Sequence, residues 1–97
     1  MNMHSLRKLL KNIFYHGWHE EYHNKFKDVL VDIDNIVTKV ALITYEKYED
    51  KVLNSIEDIK QNIYLSLFHK CNKDWLKFNS ELELKIYIYK VANEIIE

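Results

Sequence analysis

The 97-residue chain contains no proline and one glycine, Gly17. Folds rich in β-structure need many tight turns, and those turns depend on glycine and proline. Helices joined by short polar connections need far less of this turn chemistry. Since 47% of the residues are hydrophobic, the chain can also build a core of its own. These features predict one all-α domain over residues 1–97, a small bundle of about four helices.

The first helix is expected from about Leu6 to Tyr15. Ser5 is the expected N-cap, because a serine hydroxyl can accept a hydrogen bond from a free amide of the first turn. Gly17 follows at the position where a left-handed residue ends many helices. Leu6, Leu9, Leu10, Ile13 and Phe14 recur at helical spacing on one face.

The longest predicted helix begins near Trp18 and ends near Tyr45 or Tyr48, and the next runs from about Val52 to about Cys71. Apolar residues recur in both at spacings of three and four. We expect the two helices to form the core with the following residues: Val29, Ile33, Ile36, Val37 and Val40 against Ile56, Ile59, Ile63 and Leu67.

The last segment, SELELKIYIYKVANEIIE, carries two conflicting patterns. Ser80 and Glu83 have the spacing of a capping box, which announces a helix. Leu82, Leu84, Ile86 and Ile88 alternate with polar residues and Tyr87, which is the period of a strand. We predict a helix, because the cap supports it and a lone strand would have no evident partner.

Composition restricts the compartment and the chemistry. The lone cysteine, Cys71, cannot form an internal disulfide, and the first residues lack the separate charged and apolar parts of a signal peptide. No stretch is long and apolar enough to span a bilayer. Cys71 and His69, two apart on a helix, point in different directions and do not make a nucleophile and base. We therefore expect a cytoplasmic protein with no membrane association, no cofactor and no enzymatic activity.

The stretch FYHGWHEEYH, residues 14–23, concentrates aromatic and histidine side chains. The favoured interpretation is a helix–helix corner, with Gly17 at the turn. One alternative is a metal site, since one face of a continuous helix would carry His16, His19, Glu20 and His23. Against it, the chain has no second Glu-x-x-His motif. Another alternative is a binding surface formed by Tyr15, Trp18 and Tyr22.

The functional hypothesis is a non-enzymatic protein-binding inhibitor. Its most specific form is an immunity protein or antitoxin that neutralises a toxin or effector domain such as a nuclease. An inhibitor encoded by a phage would show the same features. Acidic side chains could meet a basic partner and speed association, and tyrosines could anchor it. The candidate partner-binding residues are Asp28, Asp32, Asn35, Tyr45, Tyr48, Glu49 and Asp50.

A small helical nucleic-acid-binding regulator is the second hypothesis. Arg7, Lys8 and Lys11 form a modest basic face on the first helix. The net charge of −1 and the presence of a single arginine make nucleic acid an unexpected partner.

Overall fold

The computed structural model describes residues 1–48, 55–69 and 78–96. Within these ranges every regular element is helical and there is no strand, so the all-α prediction is confirmed. The elements are α1 (Met3–His16), α2 (Tyr22–Lys25), α3 (Lys27–Lys47), α4 (Ile56–Tyr64), a π-helical turn (Leu65–His69) and α5 (Glu81–Ile96). None of the helices in these ranges combines the length and apolar content needed to cross a membrane.

Helix α1 begins earlier than its sequence pattern indicates. The expected Ser5 cap is wrong, because Asn2 is the N-cap and its side-chain oxygen accepts a hydrogen bond from the Ser5 amide at 3.2 Å. Asparagine caps helices as well as serine does. The earlier start also lets Met1 and Met3 pack against the core.

Gly17 ends α1, as predicted, and its amide donates a hydrogen bond to the Ile13 carbonyl at 2.8 Å. Its backbone angles are φ 75° and ψ −178°, a combination that is nearly exclusive to glycine. No atom lies within 4 Å of the position that a Cβ would take. Replacing Gly17 by a residue with a side chain would therefore cause backbone strain but no steric clash.

Gly17→Ala should lower the free energy of unfolding by about 1–3 kcal/mol, the usual cost of forcing a side chain into this backbone region. Urea unfolding measures the loss, with Lys11→Ala on the exposed face of α1 as control. Equal stability of Gly17→Ala and wild type would contradict the observed turn.

The predicted continuous helix from Trp18 is wrong. Residues 19–21 lie outside regular helix, and Phe26, with φ −120° and ψ 31°, separates α2 from α3. The Phe26 amide still bonds to the Tyr22 carbonyl and the Leu30 amide to the Phe26 carbonyl, both at 2.9 Å. Tyr22, Phe26 and Val29 are all buried, so the apolar periodicity continues across the break.

Helix α4 begins at Ile56, behind a well-formed N-terminal cap. Ser55 has extended backbone angles and forms a capping box with Asp58, whose amide donates to the Ser55 hydroxyl at 3.2 Å. The Asp58 carboxylate accepts from the Ser55 amide at 3.2 Å. This cap sets the helix start at Ile56. The predicted ends of this helix, Val52 and Cys71, lie outside the residues that the structure describes.

The core lies where α3 meets α4 and α5. The predicted core is confirmed on α3, and on the α4 side it holds for Ile59, Ile63 and Leu67, whereas Ile56 is only half-buried. Helices α1 and α5 complete the core with these buried residues: Leu6, Leu9, Leu10, Ile13, Leu84, Ile88, Val91 and Ala92.

Helix α5 confirms the helical prediction for the last segment, and the strand alternative is wrong. The Ser80 hydroxyl accepts a hydrogen bond from the Glu83 amide at 3.3 Å. The Glu83 carboxylate accepts from the Asn79 amide at 2.9 Å. The apparent alternation has a simple origin, because α5 is apolar on two faces. Leu84 and Ile88 point into the core, and Leu82 and Ile86 are exposed.

Candidate functional site

An open groove of about 610 Å³ lies beside α3 and α4, and we call it the aromatic groove. Its volume is in the range of pockets that hold small ligands or single side chains of a partner, roughly 300–1,000 Å³. The aromatic and histidine stretch at residues 14–23 contributes two of its lining residues. The lining consists of Trp18, His23, Lys27, Leu30, Val31, Asp34, Tyr64 and Phe68.

One wall of the aromatic groove is a stack of three rings. Trp18 stacks on Phe68 with centroids 5.2 Å apart, and Phe68 stacks on Tyr64 at 5.7 Å. Trp18 also meets the rings of Tyr22 and His23 edge-on, at 5.6 Å and 5.1 Å. Each such pair contributes about 0.5–1.5 kcal/mol beyond simple burial. The Trp18–Phe68 contact holds the turn before α2 against the π-helical turn that follows α4.

A polar group lies at the edge of this wall. The Tyr64 hydroxyl donates a hydrogen bond to Asp34 Oδ1, and the Lys60 ammonium lies 3.6 Å from the same oxygen. Burial raises the pKa of Tyr64 well above its ordinary value, and the hydrogen bond and negative charge of Asp34 add to the effect, with a further contribution from Glu57. Tyr64 is therefore a protonated donor at neutral pH, and it links α4 to α3.

The raised pKa of Tyr64 predicts a loss of stability in alkali. Since the folded-state pKa lies above the unfolded value of about 10, the stabilisation is fully present below pH 10 and is lost as the pH rises beyond it. Urea unfolding between about pH 9 and pH 11 should therefore show a steeper loss for wild type than for Tyr64→Phe. Parallel losses in wild type and Tyr64→Phe would contradict the assignment.

The outer face of α3 borders the aromatic groove. Asp28, Val31, Asp32 and Asn35 follow the i, i+3, i+4, i+7 spacing of one helix face, so the structure brings the three predicted polar residues together. Val31 is 51% exposed and belongs to both the face and the groove. An apolar recess and an acidic helix face are thus continuous.

The remaining predicted partner-binding residues lie elsewhere. Tyr45 is half-buried and packs against the core. Tyr48 is half-buried, with the Lys47 ammonium 5.2 Å from its ring centroid. Neither tyrosine lines the aromatic groove. Glu49 and Asp50 lie outside the residues that the structure describes.

Two histidines of residues 14–23 have local partners. His19 Nε2 lies 3.0 Å from the His16 carbonyl oxygen, and His23 Nε2 lies 3.6 Å from a Glu20 carboxylate oxygen. Within residues 1–48, 55–69 and 78–96, no three His, Cys, Asp or Glu side chains are grouped so that they could hold a metal ion. The metal alternative therefore finds no assembled site in this part of the chain.

The basic face of α1 has a structural contact at its only arginine. Arg7 Nε donates to the Phe78 carbonyl oxygen at 3.2 Å, and Nη2 donates to Asn79 Oδ1 at 3.4 Å. The guanidinium thereby ties α1 to the segment before α5. A guanidinium engaged in this way has fewer donors left for a phosphate group.

The sequence pattern marked only Trp18 and His23 of the groove lining as candidate site residues, and it gave no such role to Asp34, Tyr64 or Phe68. Asp34 resembles any solvated helix charge, and Phe68 resembles the last member of an apolar stripe. Their roles depend on contacts between residues about 30 or more positions apart, which periodicity does not report.

Comparison of the chain with protein-family models, with curated proteins and with solved structures finds no match. The functional inference therefore depends on the aromatic groove and on the exposed helix faces.

Proposed function

We propose that the chain is a non-enzymatic protein-binding inhibitor, of the immunity-protein or antitoxin type, that neutralises a toxin or effector domain. The observation that supports the proposal is the continuity of the aromatic groove with the acidic outer face of α3 through Val31. The groove would anchor the partner, and the acidic face would orient it.

The walls of the groove have the composition of protein-binding hot spots. Such positions are enriched in tryptophan and tyrosine, which bury much area while losing few rotamers, and they lie in recesses from which water can be excluded. Trp18 and Tyr64 are half-buried and are held by the ring stack, so little ordering would be needed on binding. An apolar or aromatic side chain of the partner fits between this wall and Leu30 and Val31.

The charges next to the groove favour a basic partner. Asp28 and Asp32 lie on the outer face of α3, and the half-exposed carboxylate of Asp34 adds a negative group at the groove itself, partly balanced by Lys27 and Lys60. Complementary charge of this kind mainly raises the association rate and selects the partner. Nucleases are one class of toxin with basic surfaces, because they bind a polyanion.

Val31→Lys should abolish capture of the partner from the native host. A lysine at this exposed position puts a charge at the mouth of the groove without disturbing the core. Tagged wild-type and variant chains would be compared by quantitative mass spectrometry of the captured proteins.

The matched control is Ile86→Lys, which makes the same change at an aliphatic residue of similar exposure on α5. It should retain the partner. Equal capture by wild type and Val31→Lys, or turnover of a small molecule by the purified chain with no protein captured, would contradict the proposal.

A further inference from the structure

The outer face of α5 is unusually apolar for a surface. Leu82, Ile86 and Tyr89 are 65%, 59% and 38% exposed, and their i, i+4, i+7 spacing places them on one side of the helix. Ile43 of α3, 46% exposed, lines a second groove of about 270 Å³ together with Tyr89. Single exposed hydrophobic residues are ordinary, but a contiguous group marks an interaction surface. We call these four residues the α5 patch.

We infer that the α5 patch binds a second copy of this chain, with the two α5 helices antiparallel. Leu82, Ile86, Tyr89 and Asn93 continue a spacing of four, three and four, which is the seam spacing of paired helices. The seam lies opposite the buried residues Leu84, Ile88 and Val91, so α5 can pack on the core and on a second copy together.

The charges beside the seam favour a second copy of the chain as the partner, and they favour antiparallel pairing of the two α5 helices. Glu83 and Lys90 directly follow Leu82 and Tyr89 in the sequence, so they flank the same side of the seam near its two ends. In an antiparallel pair, Glu83 of each chain lies near Lys90 of the other, so the attraction occurs twice. A parallel pair would instead bring Lys85 near Lys90 of the second chain, and two positive charges would repel.

The twofold symmetry of this arrangement closes the assembly. Each chain offers the same patch and receives the same patch, so the contact is isologous and ends at a dimer. The aromatic groove is lined by no residue of the α5 patch, so a dimer of this kind leaves that groove open on both chains. Asp32 and Asn35 of the α3 face line the second groove together with Ile43 and Tyr89, so this end of the acidic face lies beside the dimer contact.

Light scattering coupled to size-exclusion chromatography tests the inference on the full chain. Wild type should approach twice the chain mass of 11.8 kDa, or 23.6 kDa, as its concentration rises. Ile86→Lys should raise the dimer dissociation constant by about 30-fold or more, as loss of a central interface residue does. Val31→Lys is the matched control and should remain a dimer. A wild-type mass of 11.8 kDa at every concentration, or an unchanged dimer in Ile86→Lys, would overturn the inference.

A charge exchange tests the direction of pairing. Lys90→Glu should weaken the dimer, because it places two acidic groups near each other, and Glu83→Lys/Lys90→Glu should restore it with the charges reversed. Circular dichroism would verify that each variant keeps its helix content, since Glu83 also accepts a hydrogen bond from the Asn79 amide. A double variant that folds but remains as weak as Lys90→Glu would overturn the antiparallel arrangement.

Discussion

Ile59→Ala is expected to lower the free energy of unfolding by about 2–5 kcal/mol, the usual cost of truncating a buried isoleucine. Ile59 is only 1% exposed and lies on α4 within the core cluster shared with α3. Truncation removes three carbon atoms and leaves a cavity that the surrounding side chains fill only in part. The large effect follows because close packing makes each lost methylene costly.

Chemical denaturation with linear extrapolation measures this loss. Ile56→Ala is the matched control, because it makes the same substitution one turn earlier at a half-buried position of α4. Its loss should be clearly smaller than that of Ile59→Ala. Equal losses at the two positions would show that α4 does not present the observed face to the core.

Asp28→Lys/Asp32→Lys is expected to slow association with the proposed partner about tenfold or more at low ionic strength, the range in which electrostatic steering operates. Both carboxylates lie on the outer face of α3, next to the groove. The difference from wild type should shrink as salt rises, because exposed charges are screened beyond about 8–10 Å at physiological ionic strength. The dissociation rate should change little.

Stopped-flow or biosensor kinetics at several salt concentrations give both rates. Glu46→Lys/Glu94→Lys, with two exposed carboxylates on α3 and α5, changes the net charge by the same amount at positions that do not line the groove. This control should associate at nearly the wild-type rate. Slowing of the two double variants to the same extent would mean that net charge, and not the α3 face, governs the encounter.

Local rules were sufficient for the helical content and for much of the core. The absence of proline and the presence of one glycine excluded a turn-rich sheet, and the apolar spacing placed Ile33 and Ile63 correctly in the interior. The Ser80 cap was more informative than the strand-like alternation after it. That alternation arises because α5 has apolar residues on two faces. Leu84 lies on the buried face and Leu82 on the exposed face, and read along the sequence the two sets alternate.

The ends of the helices were harder to predict from the sequence, because several residues compete to cap each end. Asn2 and Ser5 are both good caps, and packing of Met3 against the core accompanies the earlier start. The break at Phe26 leaves the apolar periodicity intact, so a pattern of buried positions does not reveal it. A break of this kind depends on the backbone angles of one residue, and the types of the neighbouring residues do not determine those angles.

The candidate site likewise has one part that the sequence predicts and one part that it does not. The grouping of Asp28, Asp32 and Asn35 follows from helical spacing within α3 and could be predicted. The stacking of Trp18 on Phe68 and the hydrogen bond from Tyr64 to Asp34 join distant parts of the chain. These contacts appear only when α3 and α4 pack together and bring the turn before α2 against them, which is why the tyrosines near the end of α3 were favoured instead.

The central claim is that the chain neutralises a protein partner through the aromatic groove. The most direct test titrates the activity of the captured partner, at a fixed concentration, with wild type and with Val31→Lys. Wild type should abolish the partner's activity at one chain per partner molecule, and Val31→Lys should require a large excess. Full activity of the partner in the presence of excess wild-type chain would contradict the claim, as would equal inhibition by Val31→Lys.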